Sequence, residues 1–289
     1  MPELPEVETL KLGLNKYLVG HKILSIDINS ARIFKDDESQ IISATIKDVR
    51  RFAKVLVFDL SNGKSIVTHV KLTGQFIYRG PNLKEKVELS KKVTAIPGPH
   101  TRVIFKFDKG GVLYYNDLRQ FGWIKIFDTK DVETSEFVGK LGPEPAVVKV
   151  MDGRSHLDLK KFREILSKSK TAIKVVLMDQ ARIGGIGNIY ANDSLWMSQI
   201  DPKKPANSLS PKDQKELYDN IIAVLKEGIK YGGASELQFV TAEGKDGGYQ
   251  NHFRAYAQKG KLCQRCKKEK IQKYFLGGRG TFFCPKCQK

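Results

Sequence analysis

Four cysteines near the end of this chain limit its fold more than any other feature. Cys263, Cys266, Cys284 and Cys287 form C-x2-C-x17-C-x2-C within the last 27 of 289 residues. Two C-x2-C knuckles can bring four thiolates to the corners of a tetrahedron around one zinc ion. Between them, EKIQKYFLGGRGTFF (269–283) reads strand–turn–strand, with Gly277 and Gly278 in the turn. The expected product is a zinc ribbon hairpin whose folding is tied to the metal. Four soft ligands leave no open coordination position, so the zinc is structural in this reading. Two disulfides also fit the quartet, but the rest of the chain has no cysteine, which argues against a disulfide framework spread over the fold. Arg279 stands at the hairpin tip, where it is either plain surface or a residue that enters a DNA groove.

The remainder divides by hydrophobic period. Residues 3–19 fit an amphipathic helix, with Pro5 in its first turn, Val7, Leu10, Leu14 and Leu18 at helical spacing, and Gly20 to end it. Strand signals follow at 55–60, 65–70, 102–107, 112–117 and 123–127. The prolines of LGPEPAVV (141–148) suggest a linker, after which the period turns helical at 157–169, 171–182, 189–199 and 210–232. The stretch from Gly232 to Tyr249 is glycine-rich and polar and reads as a mobile loop. The fold class expected is α+β and multidomain: an N-terminal β-sandwich with a leading helix (1–135), a linker (136–150), a helical domain (151–232), and a loop with the zinc ribbon (233–289).

Lys and Arg number 50 against 32 Asp and Glu, a net charge of +18 that draws polyanions, nucleic acid above all. No apolar run approaches the roughly 20 residues of a membrane-spanning helix, and the acidic start MPELPEVETL is no secretion signal; no membrane partner and an intracellular, cytoplasmic location are expected. ARIGGIGNIYAND (181–193) reads helix, glycine turn, helix, with Asn188 as N-cap of the second helix. Free N–H groups and the helix dipole suit a phosphate there; a helix–helix turn that binds nothing fits the local pattern equally. Lys174, on the preceding helix, fits a phosphate contact or a solvated lysine. At the start, removal of Met1 would leave the α-amine on Pro2. An α-amine has a pKa of roughly 7.7–8, against roughly 10.4 for lysine, so more of it is free to attack carbon at neutral pH. A proline adduct is an iminium that is cationic without protonation. Glu3 and, one helical turn later, Glu6 could move protons; composition alone reads them as glutamates matched to a helix dipole.

Read together, PELPEVE, ARIGGIGNIYANDSLW and the terminal cysteine module resemble the formamidopyrimidine-DNA glycosylase family. RFAKVLVFDL (51–60), THVKLTGQF (68–76), NDLRQFGW (116–123) and LGPEP (141–145) fall between them in that family's order. The sister family for oxidised pyrimidines has glycine where Leu4 stands here, which favours the purine enzyme.

The resemblance implies a bifunctional DNA repair glycosylase and abasic-site lyase. Its partner would be double-stranded DNA containing oxidised purines, its one metal a structural zinc, and it would act as a monomer. The helical domain would be a helix–two-turn–helix. Pro2 would be the nucleophile, Glu3 the general acid/base, and Glu6 a support of the buried N-terminal turn. Lys54, His69, Asn188 and Arg279 would hold phosphates, and residues 234–249 would cover the everted base. Arg119, Phe121 and Leu72 would fill the gap in the duplex. Leu72 stands where the family has methionine and Gln120 where a basic residue is common. These departures put the opposite-base preference and one phosphate contact in question. A pyrimidine-directed enzyme with the same Pro2 chemistry and a catalytically silent DNA-binding protein are the competing readings.

Overall fold

The computed structural model describes residues 1–81, 83, 87–147 and 156–289. Contacts divide the chain into two compact units, Met1–Lys140 with Tyr231–Gln250, and Leu141–Lys230 with Asn251–Lys289. Among the described residues no helix is long and apolar enough to cross a membrane.

The first unit is a leading helix, α1 (Leu4–Leu18), with two antiparallel four-stranded sheets. One sheet has the spatial order β1 (Ile23–Ile28), β6 (Thr101–Phe107), β7 (Val112–Asp117), β5 (Gly74–Arg79). The other runs β2 (Ile46–Phe52), β3 (Val55–Leu60), β4 (Lys64–His69), β8 (Trp123–Asp128). In β6, Thr101, Val103, Phe105 and Phe107 are buried and the residues between them are not, the period of two of a half-covered strand. β3 is buried from Val55 through Phe58, as a strand covered on both faces must be. Leu10, Leu14, Phe58, Phe76, Phe105 and Tyr115 share one core, with the Phe76 ring 4.7 Å from Tyr115. β2 and β5 were not expected as strands. IKDVRRF carries four charges in seven residues and GQFIYR begins on glycine; pairing with β3 and β7 overrides those weak local signals.

The stretch 232–249, expected to be a mobile loop, packs on this unit. Ala234, Phe239, Val240 and Ala242 are buried, and the Ala242 carbonyl accepts the Tyr78 N–H at 2.8 Å. Gly13 of α1 makes room for it, since a Cβ there would stand 2.8 Å from that of Ala242. Four apolar side chains among the glycines are enough to draw the segment into the core.

The second unit holds α2 (Leu159–Ser167), α3 (Ile173–Met178), α4 (Asn188–Met197), α5 (Pro211–Lys230), and the hairpin β9 (Gln272–Leu276) and β10 (Arg279–Phe283). α3 stops well short of the expected 182. The Asp179 carboxylate accepts the Ala181 N–H at 3.0 Å and its carbonyl the Ile183 N–H at 2.8 Å, which turns the chain into the glycine loop. Residues 141–147 belong to the second unit, where the Gly142 N–H donates to Gln180 at 2.8 Å, and 231–250 belong to the first. Residues 148–155, where the linker was expected to end and the helical domain to begin, lie outside the described residues.

Gly228 of α5 tests the packing of the second unit. Alanine in a helix interior gains up to about 1 kcal/mol over glycine, but a Cβ at Gly228 would come within 2.5 Å of the fully buried Tyr190 ring. Overpacking of that kind costs about 1–3 kcal/mol, so Gly228→Ala is expected to lower stability in urea unfolding rather than raise it.

Candidate active site and nucleic-acid interface

The N-terminal turn is buried from Pro2 through Glu8. Glu3 is the N-cap of α1 and forms a reciprocal capping box with Glu6, whose carboxylate accepts the Glu3 N–H at 2.7 Å. The other Glu6 oxygen accepts the N–H of Ala234 at 2.7 Å. The chain's α-amine, carried here by Met1, lies in this turn. Burial lowers its pKa, the Lys54 charge adds to the lowering, and Glu3 and Glu6 oppose it.

Lys54 occupies the two-residue turn between β2 and β3 and is 5% exposed. The His69 imidazole, at the end of β4, accepts the Lys71 N–H on Nδ1 at 2.9 Å. Burial, then the charges of Lys71 and Lys54, lower its pKa to about 3. The ring is therefore neutral at working pH and carries its proton on Nε2, as a donor without charge.

Leu72 is half-buried in the turn after His69, beside Lys71 at φ 50°. The loop that carries Arg119 and Phe121 is closed at its base by the buried Asp117 carboxylate. One Asp117 oxygen accepts the Thr73 hydroxyl and the other the Gly122 N–H at 2.8 Å, while Thr73 Oγ1 accepts the Arg119 N–H at 3.0 Å. Gln120, at φ 52°, accepts the Ser30 hydroxyl at 2.8 Å. The Arg119 guanidinium lies 4.5 Å over the Phe121 ring, which is 44% exposed. An apolar and a cationic side chain are thus presented together on a braced loop.

In the second unit Gln180 sets the glycine turn. Its amide nitrogen donates to the carbonyls of Ile186 at 2.7 Å and Met178 at 2.9 Å, and its oxygen accepts the Gly185 N–H at 3.0 Å. Gly187, not Asn188, is the N-cap of α4; Asn188 is the first helical residue, half-buried, and accepts from Asn192 at 3.2 Å.

Lys174, which the sequence reads as a phosphate contact or a solvated lysine, is buried against the hairpin. It is 1% exposed, and its ammonium donates to the Gly280 carbonyl at 2.9 Å and to Thr281 Oγ1 at 2.7 Å. It holds the hairpin whose exposed tip bears Arg279. Asn192 adds to that hold by accepting the Phe282 N–H at 2.7 Å. Asp193 accepts the N–H groups of Arg254, Ala255 and Tyr256, against a burial that raises its pKa. Sequence reasoning missed Thr73, Asp117, Gln180, Asn192 and Asp193; Gln180 meets its own turn, and the others have partners far along the chain that leave no local signal.

The four cysteine sulfurs lie within 4.8 Å of one another, with Cys263 to Cys287 at 3.9 Å and Cys266 to Cys284 at 3.8 Å. Zinc–sulfur bonds of about 2.3 Å give a tetrahedron with edges of about 3.8 Å, far from the roughly 2.05 Å of a disulfide. N–H groups of Glu269 and Lys268 lower the Cys266 thiol to about 6, whereas burial and its three neighbours raise Cys287 to about 12. Four thiolates so close need a dication between them. Trp196 Nε1 donates to Cys263 Sγ at 3.4 Å from outside the cluster.

Residues 1–124 match the model of the formamidopyrimidine-DNA glycosylase N-terminal domain, 141–239 that of the same enzymes' H2TH domain, and 260–289 a zinc finger found in FPG and IleRS. The latter match and the sulfur geometry together fit one structural zinc. The chain is 36% identical to the formamidopyrimidine-DNA glycosylase of Streptococcus pneumoniae strain R6, over 100% of this chain and 99% of that one. It is 37% identical to the Ligilactobacillus salivarius enzyme, with the same coverage. Among solved structures, Lactococcus lactis Fpg bound to DNA with an abasic site superposes with a TM-score of 0.84 at 34% identity, covering 99% of both chains. The complex of the same Lactococcus enzyme with DNA containing an oxidised pyrimidine gives 0.83 at 34% identity, covering 100% of both chains.

Two outcomes are expected. His69 ring resonances should not move between about pH 5 and 8, where an ordinary histidine titrates. Because its folded pKa lies below the ordinary 6.5, the stability it contributes is complete above that value and is lost only as pH falls toward 3. Lys174→Met should lower stability by about 1–3 kcal/mol through the acceptors it leaves unpaired, with the salt dependence of DNA binding unchanged. A fall of about 1 in that slope would instead mark Lys174 as a phosphate contact.

Proposed function

Because this chain belongs to the formamidopyrimidine-DNA glycosylase family, we propose that it excises oxidised purines from duplex DNA with Pro2 as nucleophile. Family membership makes it a bifunctional DNA glycosylase and abasic-site lyase. The observation that carries the proposal is the buried N-terminal turn, where desolvation and Lys54 lower the pKa of the α-amine. Removal of Met1 passes that amine to Pro2, next in the same turn.

The target carbon is out of reach inside a base stack, so the nucleotide is everted first, at a cost of a few kcal/mol. Leu72, Arg119 and Phe121 occupy the vacancy and offset part of it. Leu72 supplies an apolar plug without the flexibility of methionine. Lys54 and Arg279 meet phosphates as charges, and His69 and Asn188 as neutral donors.

The Pro2 lone pair then bonds to C1′ while the glycosidic bond breaks, its electrons leaving with the base, which takes up a proton. The Pro2 nitrogen, now an ammonium, passes its N–H proton to the Glu3 carboxylate and regains a lone pair. Glu3 then gives that proton to O4′ as the C1′–O4′ bond breaks, and the nitrogen lone pair completes an iminium. That cation acidifies the C2′ proton; its removal expels the 3′ phosphate, and a second elimination expels the 5′ phosphate. Hydrolysis of the remaining adduct frees Pro2.

A second reading, excision of oxidised pyrimidines, is favoured by the oxidised-pyrimidine DNA held in the similar Lactococcus structure. Release of 8-oxoguanine and of thymine glycol from otherwise identical duplexes ranks the two. Borohydride with a duplex carrying 8-oxoguanine opposite cytosine is expected to trap a covalent adduct. Pro2→Gly and Glu3→Gln should abolish it. An intact protein that binds but never cross-links would be a damage reader only.

A further inference from the structure

A buried ion pair outside the reacting groups ties the two parts of the first-unit site together. Glu8 is the fifth residue of α1, and Arg51 the sixth of β2. Arg51 Nε donates to a Glu8 oxygen at 2.8 Å, and each side chain is 2% exposed. Lys11 donates to the other Glu8 oxygen at 3.0 Å. Burial would raise the Glu8 pKa, but the charges and hydrogen bonds of Arg51 and Lys11 outweigh it and hold it below the usual range.

Burying such a pair carries a desolvation penalty that well-packed apolar residues would avoid, so its presence calls for a reason other than stability. The second arm of Arg51 supplies one: Nη1 donates to the Ala53 carbonyl at 2.8 Å. Ala53 stands at φ 52°, a left-handed conformation that costs a non-glycine residue roughly 1–2 kcal/mol. Ala53 and Lys54 are the entire turn between the paired Phe52 and Val55. A shift in the Ala53 peptide therefore moves Lys54 directly. α1 is rigid through hydrogen bonding, and the nucleophile precedes its first turn. The Glu8–Arg51 pair is thus one short bridge from the helix that bears the amine to the turn that bears the lysine.

We propose that Glu8 and Arg51 are positioning residues that fix the Lys54 ammonium relative to the N-terminal nitrogen, so that one group holds the phosphate while the other reaches the sugar. The proposal rests on the Pro2 reading above. Neither residue touches substrate; both act through the Ala53–Lys54 turn.

Glu8→Gln keeps the shape and an acceptor, and Arg51→Lys keeps the charge while losing the fork. Both are made in the full-length zinc-loaded protein and checked by urea unfolding; if one fails to fold, the other carries the test. Each folded variant is expected to slow single-turnover borohydride trapping by about 10- to 100-fold, the effect of a misplaced reacting group. The salt slope for binding duplex with a tetrahydrofuran abasic analogue should fall by about 1, as it should in Lys54→Met. Arg51→Lys combined with Lys54→Met should be no slower than Lys54→Met alone, since both changes remove one function. Unaltered trapping in the single variants, or losses that add in the double variant, overturns the proposal. If the unmodified protein itself fails to trap, the Pro2 reading fails instead, so the two failures are told apart.

Discussion

The Glu6 carboxylate ties together residues 228 positions apart in sequence. One of its oxygens receives the N–H of Glu3 and the other that of Ala234. A buried carboxylate costs several kcal/mol unless its lone pairs are met, and here two backbone donors meet them. Because the acceptor is charged, each bond is stronger than its neutral equivalent. Helix α1 can therefore begin inside the protein rather than on its surface. That burial shapes the chemistry, for an α-amine in water would stay largely protonated near neutral pH. The same bond draws residues 231–250 onto the first unit, although the chain has by then passed through four helices of the second.

The second unit solves a comparable problem with different groups. A two-stranded hairpin is marginal in water by itself, yet Arg279 stands at the exposed tip of one. Four cysteines close the base of β9 and β10, and Lys174 and Asn192 fix the middle of β10 to α3 and α4. The metal site accounts for the fold of the ribbon, and the polar anchors for its attachment. A buried lysine with two oxygen acceptors is costly to place and more costly to leave half-paired. It therefore determines where the hairpin sits more sharply than apolar packing would.

The sequence disclosed groups whose chemistry depends on local order and concealed those whose role depends on distant partners. The cysteine spacing, the helix over 3–19 and the alternating strands could all be read because ligand geometry and hydrophobic period are local properties. Lys174 could not, because nothing in TAIKVVLM says that its ammonium meets a carbonyl 106 residues away. Nothing in the glycine and polar content of 232–249 says that Ala234, Phe239, Val240 and Ala242 are buried. Nothing in PELPEVE or RFAK says that Glu8 and Arg51 meet as a buried pair. Thr73, in the turn before β5, and Asp117, at the end of β7, brace the Arg119 loop and meet only in the folded sheet. The residues proposed to react are legible through motif, and the buried polar groups that brace their surroundings are not.

Charge in this protein is divided by task. The net +18 is a long-range field, useful for capture of a polyanion and weakened by salt. The groups nearest the proposed chemistry work differently: an amine whose pKa burial lowers, a histidine that does not protonate at working pH, and a glutamate set in a capping box. Ions in the medium screen such enclosed groups far less than they screen exposed lysines. Binding and bond breaking can then respond to different variables, the first to ionic strength and the second to protonation of one amine. A surface of exposed lysines could capture DNA equally well, but it could not lower the pKa of an amine by burial beside the phosphates it has gathered. That separation requires the buried turn, and the buried turn requires Glu6.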